Sequence, residues 1–411
     1  MLRNYQEIFA LPGALRFSLA GLIARFPIAV LGLGIVLFIQ GVSGSYGIAG
    51  IVTATFMVAQ AVTNPFIARL VDRFGQARVM IPVVIVHLLA LTGLLVTVYA
   101  DWWFGLVFAF AALAGATVGS LGSLVRARWN AVTTTTRQLD TAFSWEAVAD
   151  EILFVSGPVL VTALATAVFP PAGILFSMAT TTIGSVLFYS QRSTEPVPHR
   201  STGSDRGKVL TNLGIFIVVV AQVLLGINFG ALDVIAVAFA EEQGRKALAG
   251  LLLSAFAAGS LLAGAIYGAR TWKSRVHHRF TVLLVLLAAS TWLLFLGRDM
   301  VSFAIVMFLV GLTIAPTLIA ASSVIKELAP PQRLTEALAW ISTSLGFGVA
   351  IGSALSGIVI DAAGARAAVI VMVAASTASA LVAVIFIRAM DPQVSSHTAR
   401  AGRTVIDTSD Q

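Results

Sequence analysis

Long apolar runs alternate with short polar connections along almost the whole chain. Twelve of these runs approach the ~20 residues that a helix needs to cross a bilayer. They lie at 17–40, 47–70, 79–99, 103–125, 143–168, 172–191, 209–239, 247–270, 279–297, 300–324, 334–360 and 366–388. The pattern predicts an all-α integral membrane protein with twelve transmembrane helices.

One polar connection is much longer than the others. The segment "RSTEPVPHRSTGSDRGK" at 192–208 combines proline, glycine and mixed charge, which is typical of a flexible linker. It divides the chain into an N-terminal six-helix bundle over 1–191 and a C-terminal six-helix bundle over 209–390. We expect residues 391–411 to form a disordered cytoplasmic tail.

Composition agrees with this class of protein. Hydrophobic residues make up 58% of the 411 residues and charged residues only 11%. A soluble domain of this size needs far more charge on its surface. The chain has no cysteine, so disulfides and thiolate metal sites are excluded.

The net charge of +7 has a topological explanation. If the N-terminus is cytoplasmic, the predicted loops and termini place 21 Lys and Arg residues on the cytoplasmic side and four on the other side. The positive-inside rule then puts both termini in the cytoplasm and the protein in the cytoplasmic membrane as a multi-pass protein. The lipid bilayer is therefore the expected partner of this surface, and no nucleic acid is.

The two halves resemble each other in sequence. "GIAGIVTATF" at 47–56 aligns with "ALAGLLLSAF" at 247–256, and "LDTAFSW" at 139–145 aligns with "LTEALAW" at 334–340, which sets Gly157 opposite Gly352. Two matches in the same order suggest a duplicated six-helix unit. Parallel repeats of this kind are a transporter architecture, with the substrate site between the halves.

The loop between spans 2 and 3, "ARLVDRFGQAR", resembles the loop signature of the major facilitator superfamily. The positions that match are Leu70, Asp72, Arg73, Gly75 and Arg78, while Ala68 replaces the leading glycine. "LPGALRF" and "ARFP" (24–27) are similar to uncharacterised actinobacterial permeases of that superfamily. The resemblance covers essentially the whole chain and implies two pseudo-symmetric six-helix bundles.

The same resemblance implies a gating role for the loop. Asp72, Arg73, Gly75 and Arg78 would latch the two halves when the inner gate is closed. The alternative is that the arginines only fix topology. Gly157-Pro158 in span 5 resembles the core of the antiporter motif, although the other glycines of that motif are missing. A kink and close helix packing would explain this pair equally well.

Span 5 begins with three acids, Glu146, Asp150 and Glu151. Glu146 and Asp150 share one helix face, Glu151 points about 100° away, and Glu146 is expected near the headgroups. Glu151 would lie roughly 13 Å deep, where a carboxylate is costly unless it is paired, hydrated or protonated. Glu151 and Asp150 are therefore candidates for proton coupling. Arg25 in span 1 is their candidate partner, either permanently or in exchange with a proton or substrate.

The second half contributes further candidates. Asp233 is the only acid well inside its predicted spans, so it is a candidate for proton coupling or substrate contact. The neutral candidates for substrate binding are Asn228, Gln222, Thr117 and Thr313, of which the threonines can instead bond their own helix backbone. His87, in the middle of span 3, is expected to be a packing residue rather than a proton relay.

Three function classes follow. The leading one is secondary transport of a small molecule, as proton-coupled efflux. The second is proton-coupled uptake of a small solute, which would be an anion if Arg25 contacts it. If Arg25 is instead bound by a carboxylate of its own chain, efflux is favoured. The third is a non-transporting sensor or scaffold. We expect no enzyme, cofactor or metal site, since no motif for one is present, and we expect a monomer.

Overall fold

The computed structural model describes residues 2–100, 105–198, 210, 212–270, 272–330 and 333–391. All regular elements within these ranges are helices, and twelve segments are long and apolar enough to cross a membrane. They are Ala14–Ser43, Tyr46–Phe74, Gln76–Tyr99, Gly105–Val132, Thr136–Ala167, Ala172–Tyr189, Leu213–Glu242, Lys246–Ala269, Val276–Leu296, Met300–Leu328, Ala337–Ala363 and Ala365–Ile385, numbered here as spans 1–12. The twelve predicted spans are confirmed, and their bounds differ most where span 4 ends and span 5 begins.

Two spans at corresponding positions of the halves are broken helices. Span 4 consists of Gly105–Ala116 and Leu121–Val132, and span 10 consists of Met300–Gly311 and Ile314–Leu328. In span 4 the break contains Gly119, whose φ of +69° is left-handed. In span 10, Pro316 has no N–H to bond the carbonyl four residues earlier.

Other helices extend or connect the spans. Span 8 joins a 3-10 turn, Lys246–Leu248, to the helix Ala249–Ala269, and span 9 joins Val276–Trp292 to the 3-10 turn Leu293–Leu296. The helix of span 11 begins at Leu334. Short helices outside the spans are Leu2–Phe9, Arg192–Thr194 and Ile387–Met390. Residues 199–209 and 211, at the predicted linker, and 392–411, in the predicted tail, lie outside the described residues, and the domain boundaries stay predictions.

Successive spans run in opposite directions, so the bundle has two faces. The loop between spans 2 and 3 lies at one of them, which we call the arginine-rich face. The other, where spans 1 and 7 end, is called the opposite face. At the arginine-rich face the first half has its own apolar cluster, in which the Trp129 indole packs against Phe17 with a ring-centroid distance of 4.8 Å. The short helix Leu2–Phe9 covers this cluster, since Phe9 contacts Trp145 at 5.2 Å. The cluster fixes span 1 against spans 4 and 5.

Candidate functional site

A buried network of charges joins spans 1, 4 and 5 inside the first half. The Arg25 side chain is only 1% exposed. Its Nη2 donates to Glu146 Oε2, its Nη1 lies 2.9 Å from Asp150 Oδ1, and its Nε donates to the Gly21 carbonyl. The predicted pairing of Arg25 with Asp150 is therefore present. Two carboxylates already occupy its guanidinium.

Glu146 is the most deeply buried acid of this network. The structure gives it 0% exposure inside the first half. Ser18 Oγ donates to its Oε1 at 2.9 Å, and Trp129 Nε1 donates to the same atom at 2.7 Å. The helix begins at Thr136, about two turns before the predicted start of span 5, so Glu146 lies well inside this helix, and its position near the headgroups stays a prediction.

Asp150 and Glu151 have different surroundings although they are neighbours in sequence. Asp150 Oδ2 accepts a hydrogen bond from Arg126 Nη2 at 3.0 Å, so two arginines hold this carboxylate. Glu151 lies about 100° further around the helix, and the predicted pairing of Arg25 with Glu151 is not found. Among the described residues, Glu151 has no hydrogen-bond or ion-pair partner. The residue is half-buried.

Span 7 contains the candidates of the second half. Asp233 is half-buried and makes no hydrogen bond or ion pair with any described residue. Gln222 is fully buried, and both atoms of its amide group are unpaired within the described part of the chain. Asn228 Nδ2 donates to the Leu224 carbonyl at 3.0 Å, while its Oδ1 has no partner there. Span 7 thus has one acid and two amides with unused hydrogen-bonding capacity.

The two candidate threonines mark the breaks in spans 4 and 10. Thr117 Oγ1 donates to the Leu113 carbonyl at 2.7 Å, and Thr313 Oγ1 donates to the Val310 carbonyl at 2.7 Å. Both hydroxyls therefore bond their own helix, which was the alternative to substrate binding. Interrupted helices at matching positions of two repeats are a structural mark of transporter binding sites.

The signature loop at the arginine-rich face is shaped by Gly75 and anchored by Glu195. Gly75 has a φ of +94°, which favours glycine, and ends span 2. The next helix is anchored because Glu195 Oε1 accepts from the Ala77 amide at 3.0 Å. Asp72 itself is exposed, and no described residue pairs with it. Arg73 and Arg78 are also exposed, and Arg73 stacks on Phe74, with a distance of 5.0 Å to the ring centroid.

An acid at the opposite face makes the contact between the halves that was predicted for Asp72. Asp361, near the end of span 11, accepts hydrogen bonds from the Tyr46 and Gly47 amides, both at 2.8 Å. Ser45 Oγ donates to the same carboxylate at 2.5 Å. Asp361 of the second half thereby caps the first turn of span 2 in the first half.

Asp361 was not among the predicted site residues, although the sequence contains a signal for it. Asp361 precedes Gly364 by three residues, as Asp72 precedes Gly75, and Gly364 has a similar left-handed φ of +86°. Glu242 accepts from the Ala365 amide at 2.6 Å, as Glu195 does from Ala77. The same Asp-x-x-Gly spacing ends both spans, although spans 2 and 11 are not equivalent in the sequence repeat, and a search for this spacing would have found Asp361.

A second polar cluster also joins the halves at the opposite face. Glu241 of span 7 accepts hydrogen bonds from the Tyr46 hydroxyl and from Gln40 Nε2, the latter at 2.9 Å. Lys246 pairs with Glu241 at 3.1 Å and also donates to Gln40. We call Gln40, Ser45, Tyr46, Glu241, Lys246 and Asp361 the opposite-face latch.

Two close helix crossings between the halves lie just below this latch. A Cβ atom on Gly50 of span 2 would be 2.3 Å from the Ser353 carbonyl oxygen of span 11. A Cβ on Gly250 of span 8 would be 2.4 Å from the Pro158 carbonyl oxygen of span 5. Both crossings are possible only because glycine has no side chain. They use equivalent positions, since Gly50 and Gly250 align in the sequence repeat.

The crossings also locate the Gly157-Pro158 pair. A Cβ on Gly157 would be 2.9 Å from Val30 Cγ1, so this glycine allows spans 1 and 5 to approach. Pro158 faces Gly250 across the halves, as Ser353 faces Gly50. Ser254 Oγ also donates to the Val155 carbonyl at 2.5 Å across the same interface. The predicted gating pair therefore lies at the contact between spans 5 and 8.

Twelve spans in two similar halves, with paired broken helices and glycine crossings between the halves, define a membrane transporter fold rather than an enzyme. The sequence matches the Major Facilitator Superfamily over residues 17–218 and 218–407. The chain belongs to the major facilitator superfamily. The narrower resemblance to actinobacterial permeases stays a prediction.

Solved structures agree with this fold. A point mutant of the nucleoside transporter NupG has a TM-score of 0.71 at 13% identity, with 92% of this chain and 100% of that chain covered. A bacterial homologue of the iron transporter ferroportin, in an inward-facing state, has a TM-score of 0.70 at 16% identity, with 91% and 98% covered. The human organic anion transporter MFSD10 has a TM-score of 0.62 at 14% identity, with 90% and 100% covered. A comparison with curated proteins gives no match.

Proposed function

We propose that this protein is a secondary active transporter that exports a small molecule across the cytoplasmic membrane by alternating access, in exchange for protons. The observation that carries the proposal is the unequal contact between the halves at the two faces. Within the described residues, the hydrogen bonds between the halves involve the opposite-face latch and the Ser254–Val155 contact. Asp72 at the arginine-rich face has no partner there. This difference is what a transporter closed on one side requires.

The positive-inside rule assigns the two sides. With the arginine-rich face in the cytoplasm, the face that the latch holds closed is the outer one. Asp361 would hold the closed face by capping span 2. Asp72 would hold the other face, after the halves rock, by meeting the start of span 11 near Leu334. The repeated Asp-x-x-Gly spacing supports this pair of alternating latches.

Glu151 and Asp233 are the best candidates for proton coupling. Each is an acid in a membrane-spanning helix without a partner among the described residues. An ionised acid near the centre of such a helix costs about 2.5–3.5 kcal/mol, and proton binding removes that cost. Asp150 is a weaker candidate, because Arg25 and Arg126 already compensate its charge.

The occupied guanidinium of Arg25 favours efflux over uptake of an anion. An arginine that is 1% exposed and bound by Glu146 and Asp150 has little capacity for a substrate carboxylate. The structural neighbours are named as transporters of nucleosides, organic anions and iron. These substrates differ too much for one of them to be transferred to this chain.

Proteoliposomes with a pH-sensitive dye sealed inside test the proposal. Lipophilic cations, neutral drugs and organic anions are added in turn to wild type, Glu151→Gln, Asp233→Asn and the matched control Glu327→Gln, whose acid is exposed where span 10 ends. We expect substrate-dependent proton movement in wild type and control, and its loss in at least one of the other two.

The direction of the pH change distinguishes antiport from symport. Equal responses in all four proteins would refute the roles of Glu151 and Asp233. If no compound moves protons, radiolabelled flux of the same panel decides between transport without protons and a non-transporting sensor or scaffold.

A further inference from the structure

A cleft inside the first half lies apart from the interface between the halves. Spans 1, 2, 3, 4 and 6 line it, and its empty space is about 630 Å³ with open solvent included. All of its lining residues belong to the first half, and none is Asp, Glu, Lys or Arg. The break in span 4 forms part of the wall through Thr117, Val118 and Gly119.

Span 6 presents a row of unused hydroxyl groups to this cleft. Thr181, Ser185 and Tyr189 all line it, and their spacing of four residues puts them on one helix face. None of the three hydroxyls makes a hydrogen bond to another described residue. The Tyr189 side chain is only 3% exposed, and a buried unpaired hydroxyl is costly.

His87 and Gln60 add further polar groups to the lining of the cleft. His87 Nδ1 lies 2.8 Å from the Ala114 carbonyl oxygen. Since a carbonyl only accepts, Nδ1 bears the hydrogen, which leaves Nε2 of the neutral ring as an acceptor. Gln60 of span 2 lines the cleft and has no hydrogen-bond partner among the described residues. Apolar walls face these groups, with Ile28 and Leu31 from span 1.

We propose that this cleft is a binding site for an uncharged small molecule with one apolar face and several hydrogen-bonding groups. A charged ligand would lose its water without an oppositely charged lining residue to replace it. A purely apolar ligand would leave the hydroxyls unpaired. The site goes beyond the proposed transport function: it is formed by one half alone, so rocking of the halves would not take it apart.

The first test is equilibrium binding to the full chain in lipid nanodiscs. Tritiated phenyl β-glucoside is the probe, because it joins an apolar ring to a neutral, hydroxyl-rich one. Phenyl β-glucuronide is the charged analogue. We expect saturable binding of the glucoside and at least tenfold weaker binding of the glucuronide.

Variants assign the binding to the cleft. In the triple variant Thr181→Val, Ser185→Ala, Tyr189→Phe we expect glucoside binding about 100-fold weaker, at about fivefold for each neutral hydrogen bond. The control is Ser177→Ala on the same span, whose Oγ bonds the Gly173 carbonyl and does not line the cleft. An equal loss in the control would overturn the assignment.

Cysteine labelling provides a test that survives a poorly folding triple variant. The chain has no cysteine, so Ser185→Cys gives the only thiol. We expect N-ethylmaleimide to label it, and phenyl glucoside but not the glucuronide to slow the labelling at least tenfold. Three outcomes would overturn the proposal and leave a cleft that holds water only. They are absence of saturable glucoside binding, equal binding of both probes, and labelling that the glucoside does not slow.

Discussion

The glycine crossing between spans 2 and 11 gives the sharpest prediction. In Gly50→Ala, the new Cβ would lie 2.3 Å from the Ser353 carbonyl oxygen, whereas an ordinary contact is at least 3.4 Å. The two helices must therefore separate locally by about 1 Å. Overpacking of this kind costs about 1–3 kcal/mol, which corresponds to about a 5- to 150-fold shift away from the conformation closed at the opposite face. Gly250→Ala should have a similar effect at the equivalent crossing.

Distances between spin labels at the opposite face measure this shift. Val42 and Ala362 are exposed there on different halves, and the absence of native cysteine makes Val42→Cys and Ala362→Cys a clean label pair. We expect longer distances in Gly50→Ala and no change in Gly268→Ala. Gly268 is the matched control, because its Cβ would meet nothing within 4 Å. An unchanged distance distribution in a well-folded Gly50→Ala protein would refute the reasoning.

Three further predictions concern charges. Asp361→Ala should lengthen the same label distance, because span 2 loses its cap from the other half; an unchanged distance would contradict its place in the latch. Arg25→Met should lower the free energy of unfolding by about 3–5 kcal/mol, because it leaves Glu146 buried without its cation. Arg126→Met should cost much less, because the Arg126 side chain is 42% exposed. Equal losses for the two variants in unfolding experiments would contradict this. Hydrogen bonds from Ser302 hold the pKa of Asp299 below its ordinary value. Its stabilisation of span 10 should therefore be present at neutral pH and disappear as the pH falls through that lowered pKa. A difference in melting temperature between wild type and Asp299→Ala that does not shrink as the pH is lowered would argue against the cap.

The spans could be predicted from the sequence because apolar length alone determines which segments can cross a bilayer. The shared face of Glu146 and Asp150 was also predictable from helix geometry, and both acids do contact Arg25. The full burial of Glu146 was not, because the polar first turns of the span 5 helix lie outside the apolar window. A hydropathy window cannot show where a helix begins when its first turns are polar.

The opposite-face latch could not be predicted from the sequence, for a different reason. The repeat alignment finds Gly50 and Gly250 as equivalent residues, but it cannot say which carbonyl each one meets. Asp361 ends an apolar span and resembles an ordinary boundary residue until its contact with Tyr46 is known. Contacts between halves depend on how two rigid units are oriented, and local sequence does not encode that orientation.

The charge cluster around Arg25 contributes almost nothing to the protein's response to voltage. Arg25 and Arg126 balance Glu146 and Asp150, so the cluster is electrically neutral and moves with one half. A membrane potential does about 2.3 kcal/mol of work per elementary charge for each 100 mV crossed, and it does almost none on a neutral group of charges. Any current during turnover must therefore come from groups outside the cluster, such as Glu151 and Asp233, or from the substrate itself. A transporter built in this way can keep Arg25 and Arg126 within its membrane-spanning helices without either of them making its conformational change depend on the potential.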